Sequence, residues 1–111
     1  MTMMNIKILK NELRFRIDHS DVELLLAGEN LLLEMSIFPE HSLCFILSVI
    51  DAANQKLQFV SEKSTVKLFV LKDALLALQK RLPSKEGIQE NVMDCGGKTL
   101  KLTVEVDLKR R

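Results

Sequence analysis

The sequence contains no tryptophan and no tyrosine, and aromatic residues make up only 5% of its 111 residues. Binding single-stranded nucleic acid by base stacking needs exposed aromatic platforms, and few can be built here. The core must instead come from Leu, Ile, Val, Met and five Phe. No apolar run approaches the roughly 18 residues that a membrane-spanning helix requires. The opening "MTMMNIKILK" mixes polar and apolar residues within a few positions, unlike a secretory leader. With only Cys44 and Cys95 present, a cytoplasmic protein with reduced thiols is expected. A net charge of +1 gives no global attraction to nucleic acid or membrane.

What is present suits a folded domain. Hydrophobic residues reach 47% and charged residues 28%, so one domain spanning 1–111, with an ordered chain from about Asn5, is expected. The charges are uneven along the chain. Residues 1–55 carry 4 Lys/Arg against 8 Asp/Glu, and residues 56–111 carry 12 against 7, or −4 and +5. Opposed halves make a homodimer, negative half to positive half, one expectation. The basic end Lys109-Arg110-Arg111 reads as solvated chain.

Ile6 and Ile8, then Leu13, Phe15 and Ile17, alternate with polar residues, as half-buried strands do. A turn at Lys10-Asn11 pairs Ile8 with Leu13 and Ile6 with Phe15, and sets Lys7 opposite Arg14 on the other face. Ser20 and Glu23 have capping-box spacing for a helix that Gly28 ends, with Val22, Leu25 and Leu26 toward the core. "NLLLEMSIF" and "LCFILSVI" read as strands around Pro39, and Asp51 to Lys56 as a linker. "KLQFV" and "TVKLFVL" follow around a loop Ser61 to Ser64. "KDALLALQKRL" then spaces Leu75, Leu78 and Leu82 helically before Pro83. "ENVMDCGGKTLKLTVEVDL" reads as a hairpin turning at Gly96-Gly97. Leu100, Leu102, Val104, Val106 and Leu108 face inward there, and Lys101, Thr103, Glu105 and Asp107 outward.

The order hairpin, helix, hairpin thus occurs twice, in halves 5–50 and 56–108. Leu13-Arg14-Phe15 falls on Val66-Lys67-Leu68 and, with a one-residue gap, Asp21-Val22 on Asp73-Ala74. An internal repeat around a pseudo-two-fold axis is expected. The fold class is α+β: about eight antiparallel strands, as a barrel or two packed sheets, with two short helices.

No catalytic constellation emerges. "GGKT" at Gly96 to Thr99 ends like a phosphate-binding loop, but Val92 stands where that loop needs a glycine, and a strand follows instead of a helix. His41 and Cys44 are too few for zinc, and His19 and Cys95 have no paired spacing. His19-Ser20-Asp21 are adjacent in sequence, so their side chains diverge. Asp18, Asp21 and Glu23 lack a calcium-loop pattern. No catalytic residue, metal site or cofactor is therefore assigned. The feature that folding leaves unexplained is the outer face of the first hairpin, Lys7, Arg14 and Arg16, with Lys67 as a counterpart from the second half. Like charges across strands cost stability unless acids or a ligand offset them. The fork of Arg suits carboxylate or phosphate, and Glu12, Glu34 and Glu105 are the candidate internal partners.

The run "IKILKNELRFRIDHSDVELL" resembles the opening of a family of small uncharacterised bacterial proteins, on Ile6, Lys7, Ile8, Asn11, Arg14, Arg16 and Val22. "MDCGGKTLKLTVEVDL" is similar to that family's closing hairpin, on Val104, Glu105 and Asp107. Glu12, Val106 and the lack of an aromatic near the second helix depart from the pattern. The resemblance implies this architecture and a bacterial cytoplasmic setting, with no activity attached. The expected role is a non-enzymatic binding or regulatory module recognising an unknown protein or peptide. The alternative is binding of an anion, a phosphorylated ligand or nucleic acid by Lys7, Arg14 and Arg16, nucleic acid being the least favoured partner and membranes not expected.

Overall fold

The alternating runs form strands, and each helix starts where a strand stops. The computed structural model describes residues 4–38, 41–52, 54–82, 87–93 and 97–107. In chain order these form β1 (Asn5–Leu9), β2 (Glu12–Asp18), α1 (His19–Leu26), β3 (Leu31–Phe38), β4 (His41–Ile50), β5 (Leu57–Glu62), β6 (Thr65–Leu71), α2 (Lys72–Lys80), β7 (Ile88–Met93) and β8 (Thr99–Asp107). Pro39, Pro83, Cys95, Gly96, Leu108 and the basic end lie outside the described residues.

The first hairpin has the expected register, with Ile6 opposite Phe15, Lys7 opposite Arg14 and Ile8 opposite Leu13. Two other expectations are corrected. Ser61 and Glu62 belong to β5, so the turn is only Lys63-Ser64, with Lys63 at φ 46°. The cap of α1 is not Ser20 with Glu23 but Asp18 with Asp21. The strand runs on to Asp18, whose carboxylate accepts from the Asp21 amide at 2.9 Å while Asp21 accepts from the Asp18 amide at 3.2 Å. Ser20 is left to donate to Asp18 at 2.9 Å. At the other end, Gly28 (φ 95°) donates to Leu25 and Glu29 to Leu24, a Schellman closure.

The strands form two four-stranded sheets packed face to face, with no closed barrel. The first has the order β1-β2-β8-β7 and the second β3-β4-β6-β5. The four hairpins are antiparallel, but each sheet is mixed, because its central pairs, β2 with β8 and β4 with β6, are parallel. The all-antiparallel expectation fails because alternation specifies which face a residue takes, not which distant strand it meets. Phe15, Ile17, Leu102 and Val104 from the first sheet and Phe45, Leu47, Leu68 and Val70 from the second are buried between them. Phe15 meets Phe45 edge-to-face across the layer, with ring centroids 6.3 Å apart. Val22 and Leu25 of α1 and Leu75 and Leu78 of α2 are also buried, and each helix contacts both sheets. On the edge strand β1, Ile6 is half-buried but Ile8 is 58% exposed, since an edge is covered on one side only.

Gly87 leads into β7 at φ 66°, and a Cβ there would stand 2.3 Å from the carbonyl oxygen of Val104. Backbone cannot yield as a side chain tip can. Gly87→Ala should cost more than about 2 kcal/mol in denaturant unfolding, while Gly28→Ala, which meets no neighbour, should cost about 1–2 kcal/mol.

Candidate functional site

Lys7, Arg14 and Arg16 stand on the outer face of the first sheet, the side opposite the core. Phe15 and Ile17 are buried, so their neighbours along β2 point outward. The ladder orders this face into rows across β1, β2, β8 and β7. One row runs Lys7, Arg14, Thr103, Gln89, and the next begins Asn5, Arg16, Glu105. Lys7, Arg14 and Arg16, with Asn5, Ile6 and Glu105, line one surface cavity of about 260 Å³. The three cations read from the sequence therefore converge. Lys67 does not join them, because β6 belongs to the other sheet.

Carboxylates occupy most of this basic character. Arg14 donates to one Glu12 oxygen from Nη2 at 2.9 Å and Nε at 3.2 Å. Thr103 donates to the same oxygen at 3.3 Å. Arg16 Nε donates to Glu105 at 3.1 Å. Of the three candidate acids, Glu12 and Glu105 are used, and Glu34 lies on β3 in the other sheet. Lys7 has no ion pair among the described residues. Thr103 faces outward as expected, yet it is buried. It is only 2% exposed, because it sits mid-face on a central strand beneath longer side chains. Bonding to Arg14 holds the Glu12 carboxyl below its ordinary value, with support from Thr103 and Lys101, and raises Arg14 in turn.

The outer face of the second sheet differs. Phe45, Leu47, Leu68 and Val70 are buried, so Cys44, Ile46, Ser48 and Ile50 on β4 and Thr65, Lys67, Phe69 and Leu71 on β6 point outward. Leu32 lies across from Ile46 and Val60 across from Lys67, making a row Leu32, Ile46, Lys67, Val60. Leu32 is 54% exposed and Val60 40%. The unbroken apolar runs Leu31 to Leu33 and Leu68 to Leu71 were the available sign that both strand faces carry apolar residues, but nothing in them says which face stays open. A second cavity, of about 510 Å³, opens near the β1–β2 turn between Phe59, Val92, Leu100 and the 71%-exposed Met93.

The remaining candidates separate. Ser20 donates to Asp18, and His19 approaches Glu23 at 3.8 Å, so His19, Ser20 and Asp21 are not linked as nucleophile, base and orienting acid. Cys44 is half-buried, and among the described residues no three His, Cys, Asp or Glu side chains gather as a metal site.

Because the folded Glu12 value is depressed, its stabilising contribution is present above the ordinary value of 4.5 and lost as pH falls through the lowered one. Carbon-detected NMR titration should find Glu12 ionising below 4.5, and Arg14→Ala should move it upward. An unchanged titration in that variant would remove Arg14 as the main cause.

A search of curated proteins finds no match. One family model, described as a family of unknown function (DUF7009), matches residues 4–110, which take in both sheets and both helices, and the chain belongs to that family.

Proposed function

We propose that the chain is a non-enzymatic protein-binding module and that the outer face of its second sheet is the docking surface. The observation that carries this is a difference between two equivalently built faces. The halves 5–50 and 56–108 are read here as an internal repeat in which β1-β2-α1-β3-β4 corresponds to β5-β6-α2-β7-β8. In support, Lys101 N donates to Asn11 O at 2.9 Å and Cys44 N to Ser64 O at 2.8 Å, at matching turns. Glu12 pairs with Lys101 as Thr65 pairs with Cys44. Both helices follow their strands without a gap, so buried Val22 and Leu25 match buried Leu75 and Leu78, and the gapped match of Asp21-Val22 with Asp73-Ala74 is replaced.

This correspondence matches outward residues one to one. Lys7 answers to Val60, Arg16 to Phe69, Thr103 to Ile46 and Gln89 to Leu32. Asp107 answers to Ile50 and Asp18 to Leu71. Where the first sheet carries a polar, largely charge-paired face, the second carries an apolar patch of Leu32, Ile46, Val60, Phe69, Ile50 and Leu71 bordered by polar residues. A contiguous apolar face open to water is unfavourable unless something covers it, and such faces mark interaction sites. Benzoylphenylalanine placed at Leu32 should photo-crosslink to another protein in the native host, and the same probe at the matching Gln89 should not. A Val60→Asp background should abolish the adduct. Equal labelling from both positions, or none from either, would refute the reading.

One observation favours a second role, binding of a small anion or phosphorylated ligand on the first sheet. Its 260 Å³ cavity is lined by three cations and one carboxylate, and Arg16 engages Glu105 through Nε alone among the described residues. Inorganic phosphate titrated by NMR should shift the Lys7 and Arg16 signals at low salt, with the shifts fading as salt rises. Shifts that persist in Lys7→Ala/Arg16→Ala would show that the anion binds elsewhere.

A further inference from the structure

Lys67 is the charge that the second sheet's outer face retains at its centre. Its counterpart Arg14 is held by Glu12, but the residue matching Glu12 is Thr65. The residue matching Glu105 is Ser48, whose hydroxyl donates to Asn30 at 2.8 Å. Both acids that neutralise the first face are thus replaced by hydroxyl residues on the second. Among the described residues no carboxylate reaches Lys67 within ion-pair distance. Its side chain is half-buried, with Ile46 and Val60 directly across the ladder, Leu32 one strand further and Phe69 two residues along.

This arrangement constrains what can cover the face. A wholly apolar partner would strip water from the Lys67 ammonium without replacing it, which is costly for an unpaired charge. A carboxylate in the covering segment removes that cost, and the pair strengthens as water leaves. The surrounding charges also orient the segment. Glu34 and Glu62 occupy the next row, across from Cys44 and Thr65, while Lys56 lies beyond Phe69, across from Leu71. Acidic groups are thus disfavoured toward the Glu34/Glu62 end and accepted from Lys67 toward Lys56.

Resting on the reading of this face as a docking surface, we propose that its occupant is an apolar peptide segment of a partner protein carrying an Asp or Glu centred over Lys67. The probe is a phage-displayed random dodecapeptide library panned against the intact chain and against Lys67→Glu. The intact chain should enrich peptides with one acidic residue among Leu, Ile, Val or Phe. Their affinity, by fluorescence polarisation, should fall about tenfold or more in Lys67→Gln and in Leu32→Asp. Lys67→Glu should instead enrich Lys or Arg at the same place. Circular dichroism of each variant separates lost binding from lost folding, and Lys67→Gln keeps the test decisive if the charge reversal does not fold. Peptides that depend on Leu32 but carry no acid would overturn the proposal and leave the docking surface standing. Peptides indifferent to Leu32→Asp, or no enrichment, would overturn both. A reversible dimer in sedimentation that Leu32→Asp dissolves would make the occupant a second copy and overturn the proposal.

Discussion

Both sheets depend on one kind of contact, the parallel pairing of a strand from the first half with a strand from the second. β2 lies along β8 from Glu12 and Lys101 to Asp18 and Asp107, and β4 lies along β6 from Cys44 and Thr65 to Ile50 and Leu71. Without these pairings the chain would be four separate hairpins, and an isolated hairpin is at best marginally stable in water. With them, each sheet gains a central pair whose inner side chains are buried, and the two inner faces can close on Phe15 and Phe45. The β2–β8 pairing joins the ends of the chain, so its loop-closure entropy must be met before the core rewards it.

The same pairing explains the electrostatics. Because each sheet takes one hairpin from each half, the negative and positive halves interleave instead of forming opposed lobes. Arg16, from the first half, meets Glu105, from the second. Such exposed pairs contribute little stability, because water screens them. Their chief effect on the first sheet is to keep its outer face hydrated and its charges matched. Among the described residues no acid pairs with Lys67 on the second sheet, and the hydrophobic outer residues there are the more demanding feature, since water must cover them whenever a partner does not.

Much of the candidate site could be read from residue order. A tight turn at Lys10-Asn11 sets Lys7 against Arg14, and alternation sends Arg14 and Arg16 to the side away from Phe15; the ladder has that register. Glu12 was a legible partner because residues two apart on a strand share a face. Glu105 could only be one of several acids, because its place beside Arg16 depends on the β2–β8 pairing. The burial of Thr103 was hidden for the same reason. A threonine alternating with Leu102 and Val104 reads as solvent-facing until Arg14 and Gln89 are known to flank it. The capping error was of another kind. Ser20 and Glu23 have the right spacing, but Asp18 and Asp21 have it too, and the extent of β2 decides between them.

The sequence by itself determined much of the local architecture: eight strands and two helices in order, the Lys10-Asn11 turn, and which side of β2 and β8 meets the core. These follow from side-chain periodicity and turn chemistry, which act over a few residues. Only the tertiary structure decided that the central strands run parallel, that Lys67 is separated from Arg14, and that one outer face pairs Arg14 and Arg16 with acids while the other sets Leu32, Ile46 and Val60 in a row with Lys67. Those outcomes rest on contacts between distant segments, where alternation assigns each residue a face and leaves open which neighbour that face will find.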